Sequence, residues 1–316
     1  MTVGIWDAAV VIARAVTYAA TLAAAGGVFF LFYSHALLDS CAGPIRRLIR
    51  TLAVIAALAG GTMILATAAS MSGDAGGLAD VGLARMILQA GEGRASLVRL
   101  IGLVLIFANL TARRPAAMAL LGAVAAATSF AWIGHVHSLV SVLRNAWLPA
   151  VAIVVHLLGV AFWLGALIPL LMVADGTDRS RVAATVGRFG TAALSVVGAL
   201  LAAGVVLLCL LLRDVTDLWA DGYGRLVLTK ISLVGCLLAL AAFNHWRLTP
   251  RLFTDDERAL RALKRSIMAE LAVAGCILVA TAAMTTLTGP PALADRAPVV
   301  LDVCTNGPNE KWDASQ

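Results

Sequence analysis

Residues 148–173 read LPAVAIVVHLLGVAFWLGALIPLLMV, and this stretch contains no Asp, Glu, Lys or Arg. A helix needs about 20 apolar residues to cross the hydrocarbon core of a bilayer, so this segment is long enough to span a membrane. Seven further apolar segments lie near residues 10–38, 48–70, 97–112, 116–134, 182–212, 226–246 and 267–287. The sequence therefore predicts an all-α polytopic membrane protein, a bundle of about eight transmembrane helices.

The composition excludes several other classes of protein. The mean hydropathy is +0.92 and 13% of the residues are charged, about half of the usual fraction in soluble proteins. The isoelectric point near 9.4 comes from Lys and Arg in short loops, so it indicates membrane topology rather than a nucleic-acid partner. The five cysteines are scattered without a CxxC pair, which argues against a disulfide framework or a zinc site. No catalytic or ATPase motif is recognisable, so we predict that the protein is not an enzyme.

The chain divides into two parts. Residues 1–291 form one predicted transmembrane domain of eight helices, and residues 292–316 form a polar tail after Pro290-Pro291. Residues 71–96 make a long connection whose apolar residues predict a short helix lying in the membrane interface.

Basic residues are distributed unequally between the two sets of loops. The loops on one side carry fourteen Lys and Arg residues, and those on the other side carry eight over longer segments. The positive-inside rule places the richer side in the cytoplasm, so both termini are predicted to face the opposite, outer side of the membrane. Residues 247–266 form a strongly basic amphipathic loop on that side, suited to the anionic headgroups of the lipid bilayer.

Three of the five histidines lie close together in this topology. Gly134-His135-Val136-His137 ends one apolar segment, and His156 lies inside the next, roughly 12 Å deep at 1.5 Å per residue. Imidazole is costly in hydrocarbon, so such a cluster needs a metal, a proton, a haem iron or a buried carbonyl as partner. The short connection between the two segments predicts antiparallel neighbours, which allows His135 and His156 to meet. His137 can join them only if the helix ends by Gly134, because residues i and i+2 do not share a helix face.

The other two histidines lie at predicted inner span ends. His35 and His245 are candidates for an exit site, or they are ordinary interfacial residues. A bis-histidine haem is a further alternative, with His135 and His156 as the outer pair and His35 and His245 as the inner pair.

Lys230, Glu270 and Arg14 are charged residues within apolar segments, and each needs a partner or a path to water. We expect Lys230 to extend its ammonium group outward to the interface. Glu270 is expected to pair with Arg247 or Lys264, and Arg14 to reach the interface or to pair with another helix.

Several motifs resemble those of one protein family. Gly134-His135 is followed by His156-Leu157-Leu158, by FWLGA at residues 162–166 and by Pro169-Leu170. A second block reads YGRLVLTK at residues 223–230 and NHWRLTPRL at residues 244–252, and Glu270 and Pro290-Pro291 follow. Across residues 130–291 this pattern resembles the core of the copper resistance protein D (CopD) family.

The resemblance implies a function for the histidines. It implies an inner-membrane protein that moves copper from periplasm to cytoplasm, often beside a periplasmic copper-binding protein of the CopC type. His135, His156 and, with less support, His137 are then the expected copper ligands, since imidazole binds copper well. His137 departs from the pattern expected of many relatives, and no CopC-like domain or Met-rich tail is present in the sequence.

The residues leave several points open. The oxidation state of the copper ion is not indicated. A haem-containing membrane cytochrome of b type remains an alternative function, and so does a copper-holding assembly partner that does not transport.

Overall fold

A computed structural model describes residues 4–38, 41–112, 116–133, 147–176, 178–211, 222–254 and 256–287. All regular secondary structure in these ranges is helical, which confirms the predicted all-α class. The predicted polar tail, residues 292–316, lies outside the described residues, so the division at residue 291 stays a prediction.

Ten α-helices follow one another in the described ranges. They are α1 (Ile5–Ser34), α2 (Ala42–Ser72), α3 (Val81–Gln89), α4 (Gly91–Ala112), α5 (Ala116–Thr128), α6 (Trp147–Ala174), α7 (Arg179–Leu211), α8 (Gly222–Phe243), α9 (Thr249–Leu252) and α10 (Glu257–Leu287). Short 3-10 turns follow α1, α2 and α5, and a π-helical turn, Asn244–Leu248, joins α8 to α9.

The helices have the lengths and surfaces of a membrane bundle. Seven helical segments of the described chain are long and apolar enough to span a bilayer, and an eighth, Ala117–Trp132, is apolar but shorter. Large apolar side chains such as Leu58, Leu121 and Val205 are more than half exposed on the outside of the bundle. Lipid tails are as apolar as these side chains, so this surface suits a bilayer. The prediction of a polytopic membrane protein of about eight spans is confirmed.

The last span begins earlier than its apolar pattern predicts. α10 starts at Glu257, ten residues before the expected start. Asp256 Oδ1 accepts the backbone N–H groups of Arg258 at 2.8 Å and Ala259 at 3.2 Å, which satisfies donors at the helix start. The predicted basic loop at 247–266 is therefore largely helical, because Arg, Lys, Leu and Ala are all strong helix formers.

The short helix predicted within residues 71–96 is present as α3, and its place in the membrane interface stays a prediction. It begins after Asp80, whose Oδ1 accepts the backbone N–H of Leu83 at 3.0 Å. This cap explains why the helix starts at Val81 after the glycine-rich turn that precedes it.

α1 connects the first four spans with the last four. It packs against α2 and α5 in the first half and against α6 and α10 in the second. Its closest approach is to α6, where a Cβ placed on Gly26 would lie 1.6 Å from the carbonyl oxygen of Ala161. Gly165 of α6 faces the same point, since a Cβ there would lie 2.4 Å from Gly26 Cα. The two helix backbones touch directly because neither glycine carries a side chain.

Buried charged groups link α4 to α1 and to the turn that follows α5. Arg14 of α1 pairs with Glu92 of α4 at 2.8 Å and is 6% exposed. Arg99 lies over the ring of Phe130 at 4.2 Å and donates from Nε to Ser129 Oγ at 3.2 Å. Of the two expectations for Arg14, pairing with another helix is the one observed.

The two ends of the bundle differ in charge. We call the end where α1, α6 and α9 finish and α10 begins the basic end, because six Lys and Arg residues lie between positions 247 and 265. The opposite end, where α1, α6 and α8 begin, is called the far end.

Candidate metal centre

His156 lies deep in α6, nine residues from the helix start at Trp147. Nine residues correspond to about 14 Å along the helix axis from the far end. The side chain is half-buried, and its Nδ1 atom is buried without a hydrogen-bond partner. An imidazole nitrogen in this situation retains its capacity to bind a proton or a metal.

A small cavity of about 100 Å³ adjoins the His156 ring between α6, α7, α8 and α10. Its walls are almost entirely apolar. They include Val160, Leu164, Leu200 and Val234, together with the side chains of His156 and Lys230. The cavity exceeds the space that one water molecule needs, so an ion could be accommodated beside the ring.

Lys230 faces this cavity from α8. The expectation that its ammonium group would extend outward to the interface is not what the structure shows, because Lys230 lines the cavity together with His156. A lysine at this position places a positive charge beside the imidazole, which opposes the binding of a second cation.

His135 and His137, the other two outer histidines, lie outside the described residues. The described chain stops at Ile133 after α5 and resumes at Trp147. The meeting of His135 with His156, and the contribution of His137, therefore stay predictions.

The two histidines at the basic end line separate cavities. His35 is exposed, and its Nδ1 lies 3.1 Å from the carbonyl oxygen of Phe32. It borders a cavity of about 320 Å³ formed by α1, α2, α4 and α5. His245 borders another cavity, of about 290 Å³, formed by the last four spans. The two rings border different cavities, and an exit site or a haem site formed by both histidines stays a prediction.

Glu270 of α10 has partners that sequence reasoning missed. Its carboxylate accepts the indole N–H of Trp163 at 3.2 Å and an N–H of the Asn244 side chain. The prediction that Glu270 forms an ion pair with Arg247 or Lys264 is therefore wrong. Lys264 instead contacts Asp175 at the end of α6, at 2.5 Å.

The sequence contained a signal for the hydrogen-bonded cluster of Glu270, Trp163 and Asn244. Glu270 lies thirteen residues into α10, beyond the basic residues of its first turns. A carboxylate at that depth needs a partner inside the bundle. Trp163 is a donor within an apolar segment, and it too needs an acceptor when buried.

Within the described ranges, no group of three or more His, Cys, Asp and Glu side chains could hold a metal ion. His156 therefore depends on ligands outside these ranges, or on water, to complete a metal site.

Comparison with known families identifies the chain. A model described as "Copper resistance protein D-like, N-terminal domain" matches residues 5–139. A second model, "Copper resistance protein D", matches residues 183–284. Together they span about three quarters of the chain. The chain belongs to the copper resistance protein D family. His156 lies between the two matched ranges, whereas Asn244, His245 and Glu270 lie within the second.

Individual relatives carry related names. The chain is 29% identical to the Copper resistance protein D of Pseudomonas syringae pv. tomato over 254 residues, which cover 74% of this chain and 81% of that protein. It is 28% identical to the Copper transport protein CutJ of Bacillus subtilis (strain 168) over 140 residues, 43% of this chain and 25% of that protein.

A third relative is named after its location. The chain is 29% identical to the Inner membrane protein YebZ of Escherichia coli (strain K12) over 136 residues, 42% of this chain and 47% of that protein. The chain thus spans a quarter of CutJ and just under half of YebZ. No solved structure matches the chain.

Proposed function

We propose that this protein binds a copper ion through His156 and His135, with His137 as a further ligand, and moves copper across the bacterial inner membrane. The observation that carries the proposal is the unpartnered Nδ1 of His156, which borders a cavity inside the last four spans. An ion bound there would be about 14 Å from the far end and partly shielded from water.

Copper is the cargo favoured by chemistry and by the relatives. Imidazole is a good ligand for copper, and two or three histidines make a plausible site for it. Two of the matched relatives are named for copper resistance and copper transport. The inner membrane as location is supported by the name of the relative YebZ and by the seven long apolar helices of the described chain.

The distribution of charge supports an orientation of the protein in the membrane, and with it our proposal that copper moves from periplasm to cytoplasm. The basic end carries the richer set of Lys and Arg residues, so we place it in the cytoplasm and both termini in the periplasm. His156 and the expected ligands His135 and His137 would then lie toward the periplasmic face. A periplasmic copper-binding protein of the CopC type is a suitable donor to this face. The role is transport rather than catalysis.

Metal analysis and the visible spectrum of the purified protein test the proposal. The protein equilibrated with copper should retain the ion and show no Soret band, and vesicles containing it should accumulate copper. A Soret band would favour the haem cytochrome instead. Retained copper without accumulation in the vesicles would identify a copper-holding partner that does not transport.

Neutralising Lys230 should tighten copper binding. The Lys230→Met variant removes a positive charge from the cavity that His156 borders. At an effective dielectric constant near 20, two unit charges up to about 10 Å apart repel each other by more than about 1 kcal/mol, so we expect a gain in affinity of about tenfold. Arg225→Met is the matched control, because Arg225 is exposed on the same helix and is absent from the cavity lining. Copper titrations in competition with a chelator would measure both variants. Equal or weaker binding by Lys230→Met would argue against an ion beside His156.

A further inference from the structure

The junction between α8 and α9 contains a turn of unusual geometry. Residues Asn244–Leu248 form a π-helical turn, in which the chain accommodates an extra residue and two consecutive side chains can face similar directions. Thr249 Oγ1 donates to the carbonyl oxygen of Asn244 at 2.9 Å and so satisfies an acceptor inside this turn. Both Asn244 and His245 border the cavity of about 290 Å³ between α6, α7, α8 and α10. Glu270 borders the same cavity.

Glu270 is a buried carboxylate whose hydrogen-bond donors are neutral. It is 3% exposed, and its two oxygens accept from Trp163 Nε1 and Asn244 Nδ2. An arrangement in which both oxygens accept suits an ionised carboxylate. Among the described residues, no Lys, Arg or His side chain lies within ion-pair distance of it. A carboxylate is costly at membrane depth when it is charged and unpaired, so Glu270 favours either a bound proton or a bound cation.

Two further polar atoms, on residues that line the same cavity, lack hydrogen-bond partners. Asn244 is 9% exposed, and its Oδ1 atom is buried without a hydrogen bond. The Nδ1 atom of His245 is also buried without one. This atom faces Gly190 of α7, and a Cβ placed on Gly190 would lie 3.1 Å from it. Any larger residue at position 190 would therefore push the His245 ring from its present position. The side chains of Glu270, Asn244 and His245 therefore border one space that is large enough for an ion and several waters.

We propose that Glu270, Asn244 and His245 form a second cation site, toward the basic end of a path that begins at His156. The identity of the cation as copper rests on the proposed function. Carboxylate, amide and imidazole are hard or borderline ligands, and sites of this kind bind copper(II) more strongly than the other divalent metals of its row. Only one histidine and one carboxylate contribute, so water must supply the remaining ligands. Such a site binds weakly, which suits an ion in transit because it must also be released.

Trp163 connects the two sites. Its side chain borders both the cavity at His156 and the cavity at Glu270. It lies seven residues after His156 on α6, about 10 Å further toward the basic end. Leu167 and Leu238 also border both cavities, so the two spaces are neighbours separated by a wall of one indole and two leucines. The indole N–H of Trp163 donates to Glu270. Glu270, the residue that would receive the ion, therefore also positions the Trp163 side chain that separates the two cavities.

Copper stoichiometry of the full-length protein tests the second site. The protein in nanodiscs, dialysed against buffered copper, should bind two ions by metal analysis. The Glu270→Gln variant keeps the size of the side chain and removes its charge, so the second ion should bind at least about tenfold more weakly. His156→Ala should lose the other ion and keep this one. Glu257→Gln is the matched control, because Glu257 is an exposed carboxylate of the same helix that pairs with Arg261.

The outcomes separate the second site from the proposed function. If Glu270→Gln binds both ions as the unsubstituted protein does, the second site is overturned and copper binding at His156 is untouched. If the unsubstituted protein binds no copper at all, both proposals are overturned. Should Glu270→Gln fail to fold, His245→Ala decides, since His245 is half-buried and its Nδ1 makes no hydrogen bond that folding would lose. Two ions in folded His245→Ala, each at its original affinity, would likewise overturn the second site.

Discussion

The His156→Ala variant should lose most of the tightly bound copper of the unsubstituted protein, and any weak binding near Glu270 should remain. In the unsubstituted protein the Nδ1 atom of His156 has no hydrogen-bond partner. Binding a metal therefore breaks no existing hydrogen bond of that atom. Loss of a group that merely supports a ligand weakens metal binding roughly 10- to 100-fold, so loss of a ligand from a site of two or three should cost at least as much. Copper content after dialysis, together with copper-dependent growth of cells, measures the effect.

The companion variants identify the remaining ligands. His135→Ala should lose nearly as much copper as His156→Ala, and His137→Ala should lose only part. His35→Ala is the matched control, because His35 is exposed and borders a different cavity. His156 also has a backbone hydrogen-bond partner in Leu200 of α7, so copper content is compared only for variants that elute as folded, monodisperse protein. Unchanged copper stoichiometry in folded His156→Ala would exclude this residue as a ligand.

Much of the fold was predictable because membrane spans are encoded locally. An uninterrupted apolar run such as residues 148–173 can satisfy its backbone in a bilayer only as a helix. The missed start of α10 shows where this reasoning ends. Hydropathy marks the part of a helix inside the hydrocarbon, whereas Asp256 and the helix-forming residues after it decide where the helix begins.

The candidate sites were less predictable because they depend on how helices are rotated against one another. α6 is apolar on all sides, so its pattern does not reveal which residues face α8 or α10. The hydrogen bond from Trp163 to Glu270 joins residues 107 positions apart. Neither this contact nor the approach of Lys230 to the His156 cavity follows from sequence spacing. A histidine deep in an apolar segment indicated His156 from the sequence alone. Only the structure assigns His35 and His245 to different cavities.

Adding a single methyl group to a glycine should lower the stability of the fold most at the contact between α1 and α6. In the Gly26→Ala variant the new Cβ would lie 1.6 Å from the carbonyl oxygen of Ala161. The obstacle is backbone rather than a flexible side chain, so the two helices must move apart. Overpacking commonly costs about 1–3 kcal/mol, and we expect the upper end of this range or more here.

The same substitution elsewhere provides the control. A Cβ on Gly60 of α2 meets no atom within 4 Å, and alanine favours helix over glycine by about 1 kcal/mol. Gly60→Ala should therefore leave the stability unchanged or raise it slightly, whereas Gly26→Ala should lower the unfolding midpoint in detergent and the yield of monodisperse protein. Because α1 joins the two halves of the bundle through this contact, copper binding at His156 should weaken together with the stability of Gly26→Ala. Equal stability of the two variants would show that α1 and α6 are not in direct backbone contact.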